Sequence, residues 1–207
     1  VSAATCFGVA RSFTITVNPN ANLIIVADPG TTICEGDPTL LTVYDAGAVT
    51  GPGVLYNQAG AQANGSPSQV FEPANAAFSS QAADDFVIPS GGLWNITQIT
   101  ANGIGAGAPT SVNVFFYANT AGNLPGTAIA SYNNVLTFVR TGGNYVVTLP
   151  AALNLTGGTY WVSFQVNMSF ATSGQWFWGN FGAANIGNEY AWQNPGGGFA
   201  TPCTNWG

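Results

Sequence analysis

The sequence predicts an all-β protein: an antiparallel β-sandwich of jelly-roll or immunoglobulin-like type, preceded by an extended N-terminal strand segment. Three observations predict it. Runs that alternate polar and apolar residues recur along the chain, the period of a strand with one wet face. The 27 glycines and 12 prolines fall every few residues between these runs, where they punctuate turns. Helix start and stop signals are nearly absent. Hydrophobic residues reach 46% and aromatics 13%, ample to fill a core, so intrinsic disorder is not expected.

Taken in order, residues 12–17 alternate cleanly, with Phe13, Ile15 and Val17 on one face. Residues 22–26 form a more continuous apolar run containing Leu23 and Ile25, and residues 39–44 make a third strand candidate. Asn18-Pro19-Asn20 and Asp28-Pro29-Gly30 supply the turn chemistry between them. From residue 45 to 68 glycine and proline dominate, which places a boundary near residue 50: a strand segment and linker over 1–50, and a sandwich over 51–207. Strands are expected in the second part at 85–88, 94–99, 111–117, 135–139, 144–149, 159–166 and 175–178. Gly91-Gly92, Gly142-Gly143 and Gly157-Gly158 are read as turns separating them.

Composition restricts the chemistry. Charged residues make up 5% of the chain, against about 25% in an ordinary soluble domain, with two arginines, no lysine and no histidine. Imidazole-based acid–base work and Schiff-base formation are therefore excluded, and the Ser-His-Asp and Cys-His nucleophile systems with them. A net charge of −6 offers no cationic footprint for nucleic acid or an anionic membrane surface. No apolar run approaches the roughly 20 residues of a spanning helix, so membrane insertion is not expected. Cys6, Cys34 and Cys203 form no CxxC pair; a disulfide between two of them in an oxidising compartment is the expected use, with the third unpaired or bonded between chains. The chain opens Val1-Ser2-Ala3 without methionine, which reads as a product whose export signal has gone, hence an extracellular or cell-surface location.

Residues 11–19 followed by Thr32-Ile33-Cys34-Glu35-Gly36-Asp37 resemble the joint between successive Ig-like repeats of secreted Bacteroidetes surface proteins. Residues 54–206 look like a second, jelly-roll-like module of secreted bacterial adhesins. The stretches that carry this likeness include residues 81–89, 112–117 and 158–162, and Ala191-Trp192-Gln193-Asn194-Pro195-Gly196. The resemblance implies a non-enzymatic module, and a closing apolar strand that follows the Cys203–Trp206 stretch in such modules.

The expected function is a structural subunit of an extracellular filament or surface adhesin. Copies would join head to tail by β-strand donation, with Phe13, Ile15, Val17, Leu23 and Ile25 as the donated strand. Supply of that strand in cis is the alternative of equal weight. A carbohydrate-binding module is the second functional reading, resting on an aromatic-rich C-terminal third; Trp176, Trp178 and Trp192 are its candidates for stacking on a glycan or, with greater weight, for packing. The adjacent carboxylates Asp84 and Asp85 are a weak Ca2+ candidate against a structural role at a strand start. No other cofactor is expected. Among eight acids, Glu189 with Glu72 or Asp85 is the only pairing worth weighing for a glycosidase, and it weighs little.

Overall fold

A computed structural model describes residues 23–28, 40–45, 54–58, 62–181 and 187–207. In chain order its strands are β1 (Leu23–Asp28), β2 (Leu40–Asp45), β3 (Gln62–Pro67), β4 (Gln69–Val70), β5 (Gln81–Ala101) and β6 (Gly103–Ile104). They continue as β7 (Ser111–Asn119), β8 (Pro125–Val135), β9 (Phe138–Thr141), β10 (Asn144–Asn167), β11 (Phe177–Phe181) and β12 (Ala191–Gln193). A 3-10 turn spans Pro73–Phe78 and one helical turn, α1, spans Phe170–Ser173. The class is all-β, as the alternating runs predict. A seven-stranded sheet runs β12-β5-β10-β7-β8, with β4 and β9 also on β10, and a three-stranded sheet runs β3-β11-β6.

β5 and β10 are 21 and 24 residues long and pair antiparallel along nearly their whole length. Each merges two strands expected to be separate, because the glycine pairs bend the chain instead of ending the strand. Tyr145 and Phe164 lie on the same strand, 19 residues or about 60 Å apart if it were straight. Their ring centroids are 5.3 Å apart. Phe86 and Trp94 of β5 likewise stack at 6.0 Å. The paired ribbon therefore folds back on itself and contributes to both layers of the sandwich, the device by which strands turn a corner between sheets. At the corner the register passes from Leu93↔Thr156 to Ile88↔Gly158, so residues 89–92 of β5 face Gly157 alone. Gly91 takes φ +78, and a Cβ on Gly157 would lie 2.7 Å from the Pro89 carbonyl oxygen. Gly142-Gly143 does form the expected tight turn, between β9 and β10.

Inside the fold-back sit Phe86, Ile88, Val112, Val114, Phe116, Tyr145, Val147, Phe164, Val166 and Trp176, all buried. The period-2 alternation of β7 and β10 produces this face, each large side chain contributing about 1.5–3 kcal/mol by leaving water. The opposite face of the same sheet buries Trp161 with Ala83 and Ala191, under Tyr117, Leu124 and Trp206.

The edges of the large sheet differ. Beyond β12, the Trp192 N–H donates to the Gly207 carbonyl at 3.0 Å, Gly207 N–H returns a bond to Trp192 at 3.3 Å, and Asn194 N–H donates to Cys203 at 2.7 Å. Residues 203–207 thus line this edge beyond β12. β8, at the other edge, pairs only with β7 among the described strands. Its core-side residues Ala130 and Tyr132 pack on the core yet remain partly exposed. The sequence suggests no strand over 125–134, and the strand expected at 135–139 divides between the last residue of β8 and the first two of β9.

The β1–β2 hairpin pairs Leu23 with Asp45 and Ile25 with Val43. Phe13, Ile15, Val17, Cys6 and Cys34 lie outside the described residues. The corner's demand for glycine predicts that Gly157→Ala destabilises the fold by about 2 kcal/mol or more, since backbone atoms must yield. Gly142→Ala, whose Cβ would meet nothing within 4 Å, costs only its left-handed φ, about 1–2 kcal/mol. Denaturant unfolding of the two variants ranks them.

Candidate functional site

Three segments distant in sequence meet at one end of the sandwich, and each brings aromatic rings. The 3-10 turn carries Phe78, the α1 turn carries Phe170, and the loop after β12 carries Phe199; Phe71, just past β4, lies among them. Phe71 sits 6.4 Å from Phe78 and 6.2 Å from Phe170, and Phe78 meets Phe199 edge-on at 5.3 Å. Together with Asn75 and Gln175 they line a cleft of about 230 Å³.

Buried polar side chains hold each segment in place. Gln69, fully buried, donates to the Met168 and Gly174 carbonyls at 2.8 and 3.2 Å and accepts the Trp176 N–H at 2.8 Å. Asn194, also fully buried, donates to the Ala77 and Ser79 carbonyls and accepts the Phe199 N–H at 3.0 Å. Glu72 caps the α1 turn, accepting Phe170 N–H at 2.7 Å and Ala171 N–H at 3.3 Å, and takes a third bond from the Asn75 amide at 2.7 Å. Desolvation works against its ionisation, but these donors outweigh it and hold the carboxyl at about 2. Gly196 and Gly198 let the loop lie flat on Ala77, with Gly198 N–H bonded to the Ala77 carbonyl at 2.9 Å.

The tryptophans weighed for packing ahead of glycan stacking all pack. Trp176 is fully buried, its indole N–H on the Gly143 carbonyl at 2.8 Å, and it packs edge-on against Phe164 at 5.2 Å. Trp178 meets the same ring at 6.5 Å. Both face the core from one side of the extended chain that enters β11, because they stand two residues apart. Trp192 donates to the Pro67 carbonyl at 2.8 Å and braces Phe199 at 5.7 Å, so it stands behind the cleft. Cys203 is half-buried and forms no disulfide among the described residues.

Asp84 and Asp85 alternate across β5, Asp84 on the side of Phe86 and Asp85 on the side of Ala83, so the pair does not close around one cation. Asp85 is buried, and its two oxygens accept the Asn188 backbone N–H at 3.0 Å and side-chain N–H at 2.7 Å. Asp84 accepts the Asp85 backbone N–H at 3.0 Å. Burial pushes the Asp84 carboxyl up to about 6; the Asp85 N–H bond opposes the rise and the Asp85 charge adds to it. Nearby Tyr56 rises to about 12, by burial first and then by the charges of Asp84 and Asp85. No group of three or more Cys, Asp or Glu side chains suited to a metal ion comes together among the described residues. Arg140, the basic residue among them, donates from one nitrogen to the Ala106, Gly107 and Gly142 carbonyls at 2.9 Å each, and so ties the loop before β7 to the β9–β10 turn.

The cleft was not legible as a site. Phe199 belongs to the aromatic-rich stretch, but Phe71, Phe78 and Phe170 are isolated in sequence, and only the packing of three loops joins them.

The raised Asp84 carboxyl has a defined sign. A group whose folded pKa exceeds its unfolded value loses stabilising power as pH climbs between the two, here from about 4 to 6. Asp84→Asn should therefore flatten the loss of stability over that window and raise stability at pH 7 by up to about 3 kcal/mol. Thermal unfolding across a pH series spanning about 3.5–7 checks it. No protein-family model, curated protein or solved structure matches this chain.

Proposed function

We propose that the chain is a non-catalytic structural subunit of an extracellular filament or surface adhesin, joining to copies of itself by β-strand addition. The observation that carries this reading is the outer edge of β8. Residues Pro125–Val135 contain no charged side chain, and proline stands only at the first position. Of the devices that guard natural edges, this one carries three bulges against β7 but, among the described residues, no lysine, no inward charge and no covering strand. Here Ile129 is 42% exposed and the core-side Ala130 and Tyr132 are only half covered. A strand laid beside β8 would pair its backbone groups and finish the core at that margin.

The donor that fits is residues 12–17 of a neighbouring copy, whose alternation would direct Phe13, Ile15 and Val17 inward over Tyr132. Leu23 and Ile25 lie in β1, which pairs with β2 along one edge. With a net charge of −6 spread over 207 residues, close approach of copies meets little repulsion. Contact between the front of one copy and the β8 edge of the next is heterologous, so it propagates unless it closes a ring.

Sedimentation of the full chain over a concentration series tests this. Masses that grow with concentration, and that fall to the monomer in Ile129→Lys/Ser131→Lys, are the expected outcome. A monomer at every concentration, or assembly untouched by both lysines, overturns it.

A further inference from the structure

We propose that the phenylalanine cleft at the end of the sandwich binds one neutral sugar ring, a terminal pyranose of a glycan. This goes beyond self-assembly and does not depend on it, because the cleft and the β8 edge involve different residues.

The lining defines the ligand. Phe71 forms a buried floor, while Phe78 and Phe170 are 38% and 50% exposed, so aromatic carbon faces open solvent at a concave place. The cleft volume of about 230 Å³ is below the roughly 300–1,000 Å³ that encloses a drug-sized molecule, so it accepts a single ring. Ring C–H groups of a pyranose are polarised by their oxygens and pack favourably on the negative faces of aromatic rings.

Polar groups in the lining argue against a purely apolar occupant. The Gln175 carboxamide accepts and donates no hydrogen bond within the described residues, and Asn75 uses its N–H on Glu72 while its carbonyl oxygen stays free. The Gln175 carboxamide, the second Asn75 amide N–H and the Asn75 carbonyl oxygen are thus left for hydroxyls. An apolar side chain would desolvate them without return.

Charge argues for neutrality. Glu72 beside the cleft spends three of its roughly four lone-pair directions on N–H donors, which leaves little of it to hold a cation. Arg140, the only described cation, ties the loop before β7 to the β9–β10 turn and is not among the residues that line the cleft, so no positive charge faces an anion there.

The cleft is also prepared in advance. Gln69, Asn194 and Glu72 fix its three walls by hydrogen bonds to backbone, so little ordering remains to oppose binding.

A lone ring held on one side binds with a Kd on the order of a millimolar, which suits saturation-transfer NMR of the full chain. The probes are methyl glucopyranoside, galactopyranoside, mannopyranoside and N-acetylglucosaminide. At least one should receive saturation at its ring C–H protons. Phe78→Ala and Phe199→Ala should abolish the transfer, and Gln175→Ala should weaken binding roughly three- to tenfold. Phe78→Tyr, which keeps the ring, should retain it, separating loss of the site from loss of the fold. The proposal is overturned by silence of all four glycosides. Transfer that persists in both alanine variants overturns it as well, as does tighter binding of N-acetylphenylalanine amide than of any glycoside.

Discussion

The pairing of β5 with β10 is the constraint on which the rest depends. Together these strands give the large sheet its centre, and their bend at Gly91-Gly92 and Gly157-Gly158 brings Tyr145 down onto Phe164 and Trp94 onto Phe86. Without that bend, two halves of one ribbon would each expose an apolar face. With it, the ribbon provides both layers and leaves the shorter strands to complete them. The three-stranded sheet closes the core by inserting Trp176 and packing Trp178 behind it.

Amides and hydroxyls take the roles that ions play in other domains. Gln69, Asn194, Asn113, Gln165 and Ser163 are buried and hydrogen-bonded, most of them to backbone carbonyls. Across β7 and β10, Asn113 bonds Gln165 and Asn167 at 3.1 and 3.0 Å, and Asn167 reaches Ser111 at 2.7 Å. Each such bond contributes about 1 kcal/mol net, but leaving one partner unmet costs more, so these networks fix the geometry of loops as firmly as they stabilise them. The protein thereby acquires a preformed cleft and a surface with almost no fixed charge.

Much of this architecture was legible. Alternation located residues 111–117 and 159–166 correctly because their aliphatic and aromatic residues fall mainly on one face while Asn113, Ser163 and Gln165 are buried on the other, and Gly142-Gly143 turned as two-residue hairpin chemistry requires. The glycine pairs at 91–92 and 157–158 misled because sequence cannot distinguish a turn that ends a strand from a corner that bends two strands together. β8 escaped notice because its stretch Thr127–Asn134 is built from small and polar residues whose strand character comes from pairing with β7. Trp176 and Trp178 stand two residues apart and share a face, and packing makes that face core. The cleft depends on contacts between residues about 100 apart in sequence, such as Glu72 to Phe170, which no local pattern announces.

If the uncharged β8 margin is the surface through which copies join, its backbone must change state on assembly. Hydrogen–deuterium exchange compared between dilute and assembled chain measures this directly. The account predicts that amides within Pro125–Val135 gain protection in the assembled form, together with those of residues 12–17. Assembled material in which that margin exchanges as fast as in the monomer, while protection appears elsewhere, would contradict it.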